Sequence, residues 1–191
     1  MSLRNAILAV AAFLAAACAT TGGAPAPEAP PPPSPVATYF PLAVGNRWSY
    51  ETRFGSRVES NTVSIVAGEG GVFTDNRNNR FFIDDQGLRD ERRYLLRAPL
   101  AKGTTWKSIV DVGKTESYEI AATDATVTVP AGTFEDVVLV RGRSRVDPGT
   151  ELEVEWAYAP GVGLVRIATT AVIGRERIPQ ARSELTEYAI R

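Results

Sequence analysis

Residues 47–54 read Arg-Trp-Ser-Tyr-Glu-Thr-Arg-Phe, with Trp48, Tyr50 and Phe54 on one side of an extended chain and Arg47, Ser49, Glu51 and Arg53 on the other. Side chains alternate across a strand with a period of two, so the pattern fits a strand with one buried face and gives a helix no apolar stripe. The same texture recurs along the chain. Candidate strands cover residues 57–66, 80–84, 93–97, 104–110, 116–123, 125–129, 135–146, 151–158, 163–173 and 183–190. Turn chemistry separates them, as at Phe54-Gly55-Ser56, Gly68-Glu69-Gly70-Gly71, Asp85-Gln86-Gly87, Val112-Gly113-Lys114, Pro130-Ala131-Gly132 and Asp147-Pro148-Gly149. No stretch beyond residue 38 keeps a 3.6-residue period, and residues 88–97 come nearest to a helix. Many short strands at regular spacing predict an all-β fold, an antiparallel meander forming a curved sheet, half-barrel or barrel. Residues 39–191 are expected to form one such domain.

One hairpin can be set in register from its side chains. Arg141, Arg143 and Arg145 alternate with Val140, Gly142, Ser144 and Val146, while Glu151, Glu153 and Glu155 alternate with Leu152, Val154, Trp156 and Tyr158. A three-residue loop at Asp147-Pro148-Gly149 pairs Arg145 with Glu151, Arg143 with Glu153 and Arg141 with Glu155. It also sets Val140 beside Trp156 and Val138 beside Tyr158. A slip by one residue would set charges against apolar groups. Each cross-strand ion pair is worth only ~0.2–1 kcal/mol, so the ladder chiefly fixes register. The three glutamates are therefore read as arginine partners, not as cation ligands. An internal repeat, P-L-A-x-G-x-x-W, joins residues 41–48 to residues 99–106. Each copy leads into a strand, which predicts two related β units with Trp48 and Trp106 as matching plugs of the core.

Chemistry-bearing residues are sparse. The chain has one cysteine and no histidine, so Ser-His-Asp, Cys-His and histidine-zinc arrangements cannot be built. Asp75-Asn76-Arg77-Asn78-Asn79-Arg80 is only a partial match to a calcium loop, since Arg77 stands at a ligand position and the closing Glu is missing. Asp84-Asp85 and Asp90-Glu91 could serve a carboxylate-only hydrolase by residue type, but read more simply as turns. We expect no enzyme, cofactor or metal site. Trp48, Tyr50, Trp106, Trp156 and Tyr158 are the candidate core or ligand-facing aromatics. With 21 Lys+Arg against 22 Asp+Glu, the net charge of −1 offers no basic nucleic-acid face.

The first residues carry an address. Arg4 precedes an apolar run over residues 6–17, the layout of a signal peptide spanning residues 1–17. The run is shorter than the ~20 apolar residues that cross a bilayer. Cys18 follows, then a tether over residues 18–38 with seven prolines between Pro25 and Pro35. Such composition favours extended polyproline II, at ~3.1 Å per residue.

Leu14-Ala15-Ala16-Ala17-Cys18 resembles the lipobox of bacterial lipoproteins, although that pattern places Leu where this sequence has Ala15. The resemblance implies cleavage before Cys18 and attachment of lipid, palmitate among the acyl chains, to its sulfur. Ala19 stands where Asp retains enterobacterial lipoproteins in the inner membrane, so the implied address is the outer membrane. Three further blocks resemble motifs of uncharacterised secreted β-proteins and lipoproteins of bacteria: the P-L-x-x-G-x-x-W of residues 41–48, V-P-A-G-T-F at 129–134 and Y-A-P-G-V-G-L-V at 158–165. This resemblance implies an extracytoplasmic β-rich fold and brings no catalytic residue. The expected protein is a lipid-anchored, non-enzymatic binding or envelope-assembly module of the cell envelope. The alternative is a carrier holding an apolar ligand or lipid in a barrel or half-barrel cavity. Its partners would be the membrane, through the anchor, and an apolar ligand or envelope protein.

Overall fold

The computed structural model describes residues 35–112 and 114–191; the signal peptide, Cys18 and the tether up to residue 34 lie outside the described residues. After a helical turn, α1 (Pro35–Tyr39), come β1 (Arg47–Phe54), β2 (Arg57–Glu69), β3 (Val72–Asp75), β4 (Arg80–Ile83), β5 (Gly87–Arg89), β6 (Tyr94–Arg97), β7 (Thr105–Asp111), β8 (Lys114–Val129), β9 (Gly132–Asp147), β10 (Thr150–Ala159), β11 (Gly163–Ile173) and β12 (Glu176–Ala189). They form one antiparallel sheet in the order β7-β8-β9-β10-β11-β12-β1-β2-β3-β4-β5-β6, nearly closed into a barrel. Every pairing joins sequence neighbours except β12 with β1. The break falls between β6 and β7, in mid-chain. Pro99, which has no N–H to give a ladder, stands two residues beyond the four-residue β6.

The expected all-β meander is thus present, with local differences. Residues 88–97 are two short strands around a turn, because Asp90 Oδ1 accepts the N–H groups of Arg92 (2.7 Å) and Arg93 (2.8 Å). Residues 116–129 are not two strands but parts of the continuous β8, bent by register shifts beyond Ile120. β3 went unread between its glycines and asparagines. β12 starts seven residues early and tolerates Pro179 beside a register shift. Residues 35–38, assigned to the tether on composition, belong to the fold: Val36 is fully buried, and Thr38 C=O accepts the Gly161 N–H at 2.7 Å.

The two copies of P-L-A-x-G-x-x-W fold alike, bond for bond. Gly45 N–H donates to Ile65 C=O at 2.9 Å and Gly103 N–H to Ile120 C=O at 2.8 Å. Ile65 N–H returns to Asn46 C=O, and Ile120 N–H to Thr104 C=O, each at 2.9 Å. The Asn46 amide and the Thr104 hydroxyl both donate to the carbonyl of the motif proline, Pro41 or Pro99. Both glycines sit at positive φ, 94° and 90°, which only glycine takes up freely.

The β9–β10 hairpin pairs Arg145 with Glu151, Arg143 with Glu153, Arg141 with Glu155, Val140 with Trp156 and Val138 with Tyr158. Its loop is shorter than three residues, because Thr150 pairs with Asp147 and Val146 is bulged out. The charges form a network wider than the hairpin. Glu153 receives Arg143 at 3.2 Å and Arg177 of β12, with Arg141 at 3.6 Å. Glu155 meets Arg166 of β11 at 2.9 Å and Arg141 at 3.6 Å. Burial pushes the Glu153 carboxyl up, but hydrogen bonds from Arg177 and Arg143 and the charges of Arg177 and Arg141 outweigh it and hold it below the usual range. Its contribution to stability is therefore present above pH ~4.3 and fades as pH falls through the lower folded value. We expect Glu153→Gln, whose side chain is 11% exposed, to cost roughly 1–3 kcal/mol at neutral pH and to flatten the acid limb of the stability curve, as read by urea unfolding from pH 7 to 3. The charge swap Arg143→Glu with Glu153→Arg should not restore stability, since the new arginine would face Arg141 and Arg177.

Candidate binding site

One face of the sheet is filled at one end only. At the filled end, Phe40 stacks on Trp48 with centroids 5.6 Å apart and reaches Phe81 at 5.7 Å and Tyr158 at 6.4 Å. Trp48 Nε1 donates to Val162 C=O at 2.7 Å, and the Tyr50 hydroxyl to Leu164 C=O at 2.8 Å. These bonds tie β1 to β11 and to the turn that precedes it across the interior. Burial raises the Tyr50 and Tyr158 phenols, keeping them as proton donors.

Near the β6–β7 break a second aromatic group closes the wall. Trp106 stacks on Tyr118 at 5.3 Å and 11°, and Tyr118 leans on Trp156 at 5.9 Å. Gly142 makes room for this: a Cβ there would lie 2.6 Å from Trp156 Cζ3. Trp106 Nε1 donates to Tyr94 C=O at 3.0 Å, a side-chain bond where the ladder is missing. Arg93 reaches the same place, donating to Glu116 and, at 3.0 Å, to the Tyr118 hydroxyl, with its guanidinium 5.7 Å from the Trp156 ring centre. Burial and the Glu116 contact raise the Tyr118 phenol.

Away from Phe40 the same face is open. A cavity of about 380 Å³ is lined by Tyr50, Phe54, Val63, Leu164, Ile167 and Ala181, with Thr52, Asn61, Arg77, Thr169 and Ser183 between them. A space of about 270 Å³ follows over Leu152, Val154 and Trp156, bounded by Arg93, Lys114 and Glu116.

Of the aromatics singled out in the sequence, Trp48 and Trp106 are 1% and 4% exposed, Tyr50 and Tyr158 are buried, and Trp156 is half-buried against the open space. The structure groups Tyr158 and Trp156 with Trp106, and Tyr50 with Trp48; Phe40 bridges Trp48 and Tyr158, and Tyr50 also forms part of the cavity wall. Phe40, Ile167 and Arg93 complete the site without a sequence signal of their own. The carboxylates considered for hydrolysis serve turns. Asp84 Oδ1 accepts Gln86 and Gly87 N–H groups, and its Oδ2 takes Arg89 and Tyr94. Glu91 pairs with Arg80 at 3.2 Å. Asp75, buried, closes its own turn through Arg77 and Asn79. Among the described residues no group of three potential ligand side chains could hold a metal ion.

No protein-family model matches the chain, and no curated protein matches it. Two solved structures align with it. One is an exported protein, provisionally so described, with a YmcC-like fold from Bacteroides fragilis NCTC 9343: 13% identity, TM-score 0.51, covering 78% of this chain and 97% of that one. The other is provisionally described as a lipoprotein, from Parabacteroides distasonis ATCC 8503: 14% identity, TM-score 0.48, covering 80% of this chain and 98% of that one. At such identity the likeness to the first is a likeness of fold.

Proposed function

We propose that this chain is a lipid-anchored protein of the cell envelope whose β domain is a non-enzymatic carrier of an apolar ligand. The half-open cavity carries this reading. A sheet packed solid would favour a purely structural role in assembly. Here one end is packed by Phe40, Trp48 and Tyr158, and the other holds about 380 Å³ of largely apolar space, within the range of small-ligand sites. The test uses the full chain carrying Cys18→Ser, purified without detergent, and the fluorescent probe N-phenyl-1-naphthylamine. Wild-type cavity residues should give saturable binding at one probe per chain, and Ile167→Arg should abolish it without shifting the thermal midpoint by more than a few degrees. Absence of saturable binding to the unaltered cavity would argue against the carrier.

The anchor reading rests on the lipobox-like residues before Cys18 and on the tether that follows. Export is in keeping with a fold shared with an exported protein, and Ala19 favours the outer membrane. Cells fed labelled palmitate should label the wild-type chain and not Cys18→Ser. Two or more acyl chains make such an anchor stable, so the wild type should also enter the detergent phase on phase separation. Label surviving in the serine variant would place the lipid elsewhere.

A further inference from the structure

Consecutive strands of an antiparallel meander alternate in direction, so its turns gather at two ends. The turns that follow odd-numbered strands lie at one end. Those that follow even-numbered strands lie at the other, together with α1 and Arg191. This second end is closed. Phe40, just beyond α1, stacks on Trp48, and the β8–β9 turn gives its Ala131 N–H to Leu185 C=O at 3.0 Å. The first end is open. The cavity beside Tyr50 and the space over Trp156 both lie toward it, as does a third space of about 540 Å³ among the β3–β4, β5–β6 and β7–β8 turns.

The turns at the open end hold apolar side chains out in water. Among the described residues nine large hydrophobic side chains are exposed. Six of them, Phe54, Val58, Ile109, Val112, Val146 and Ile173, stand at the β1–β2, β7–β8, β9–β10 and β11–β12 turns of this end; Val44, Val66 and Tyr188 stand at the other. The six form no single face. They sit on four separate turns around the mouth of the cavity, and such points fit a fluid surface better than a shaped partner. Each turn also carries a base within two residues of its apolar tip: Arg53 by Phe54, Lys114 by Val112, Arg145 by Val146 and Arg175 by Ile173. Long basic side chains can reach headgroups while their apolar neighbours sit deeper. Acids stand there too, Asp111, Asp147 and Glu176, so the attraction has to be apolar and not one of net charge. The length of chain before the fold allows the contact. Residues 18–34 can span ~50 Å in the polyproline II form, against ~36 Å for the 11 residues of β11. A lipid on Cys18 therefore leaves the open end within reach of the bilayer that holds the lipid.

We propose that the open end of the barrel docks on a lipid bilayer, with Phe54, Val112, Val146 and Ile173 entering the boundary between headgroups and acyl chains. This goes beyond the carrier reading, since it concerns the rim and not what the cavity holds. The full chain carrying Cys18→Ser has no other cysteine, so a single one can be introduced and labelled with the polarity-sensitive dye NBD. Two labelled chains, Val146→Cys and Ile173→Cys, report on the open end; Glu69→Cys, exposed at the β2–β3 turn, reports on the closed end. With excess vesicles of phosphatidylcholine, which carries no net charge, emission from the two tip labels should shift to the blue. A nitroxide high on the lipid acyl chain should quench it. The label at Glu69→Cys should do neither. The shift should persist in 1 M salt, because apolar insertion is not screened. Adding Phe54→Ser, Val112→Ser and Ile173→Ser, all at exposed positions, to the chain labelled at Val146→Cys should remove it. Tip labels that stay unchanged overturn the proposal. So do labels at both ends that respond alike, or a shift that vanishes in salt or survives the triple substitution. The measurement needs no ligand in the cavity and no lipid on Cys18, so its failure leaves the carrier and anchor readings standing.

Discussion

Replacing Trp48 with alanine should destabilise the domain by ~3–5 kcal/mol, the cost of truncating a buried aromatic. Trp48 is 1% exposed, stacks on Phe40 and donates its indole N–H to Val162 C=O at 2.7 Å. Truncation removes the ring from the packed end of the interior and leaves Val162 C=O without that donor. Against ~5–15 kcal/mol of total stability for a domain, this is a large share. Urea unfolding should show the loss. Trp48→Phe, which keeps a ring but no N–H, should lose about 1 kcal/mol for the bond, with a further part for the smaller ring. If Trp48→Ala unfolds like the wild type, Trp48 is no plug and the packed end of the interior must be held by other contacts.

Trp106→Ala should cost a similar ~3–5 kcal/mol, but its signature should be local. β6 and β7 share no ladder. Across that break stand the Trp106–Tyr94 bond and the Arg93 contacts to Glu116 and Tyr118, while the Trp106–Tyr118 stack, within the β7–β8 pair, holds the indole in place. Removing the indole takes away the Tyr94 bond across the break and the stack that positions it. Amide exchange should accelerate first over Tyr94–Arg97 and Thr105–Asp111, whereas Trp48→Ala should raise exchange through β1 and its neighbours. Equal acceleration everywhere in Trp106→Ala would mean that the break has no stability of its own to lose.

Most of the β architecture was legible in the sequence because strand alternation and turn residues are local signals. The β9–β10 register was legible because charge and apolar alternation agree on a single pairing. The partners of Glu153 were only partly so: Arg143 lies across the hairpin, but Arg177 comes from β12, two strands away across β11. Asp90 misled in the opposite direction. Its neighbours look helical by composition, yet its carboxylate captures two backbone N–H groups and turns the chain. The cavity has no motif, since Thr52, Ile167 and Ala181 become neighbours through two successive strand pairings, β1 with β12 and β12 with β11. Val36 was hidden by the prolines around it; burial of one side chain was enough to bring residues 35–38 into the fold.

The pairing of β1 with β12, Arg47 opposite Ala189, sets a timetable for this chain. Strands β2 to β6 can zip up as they are made, and so can β7 to β11. The halves join into one sheet only when β12 is available. Sheets that depend on such distant pairings fold slowly, in milliseconds to seconds. A polypeptide threaded through a translocon N-terminus first would therefore reach the far side as two incomplete meanders, with β1 an open edge until the last strand follows. Loss of residues 176–189 would leave β1 and β11 as permanent bare edges, prone to pairing with other chains. The strand that joins the two halves of the sheet is also the one whose absence would make this protein prone to aggregate.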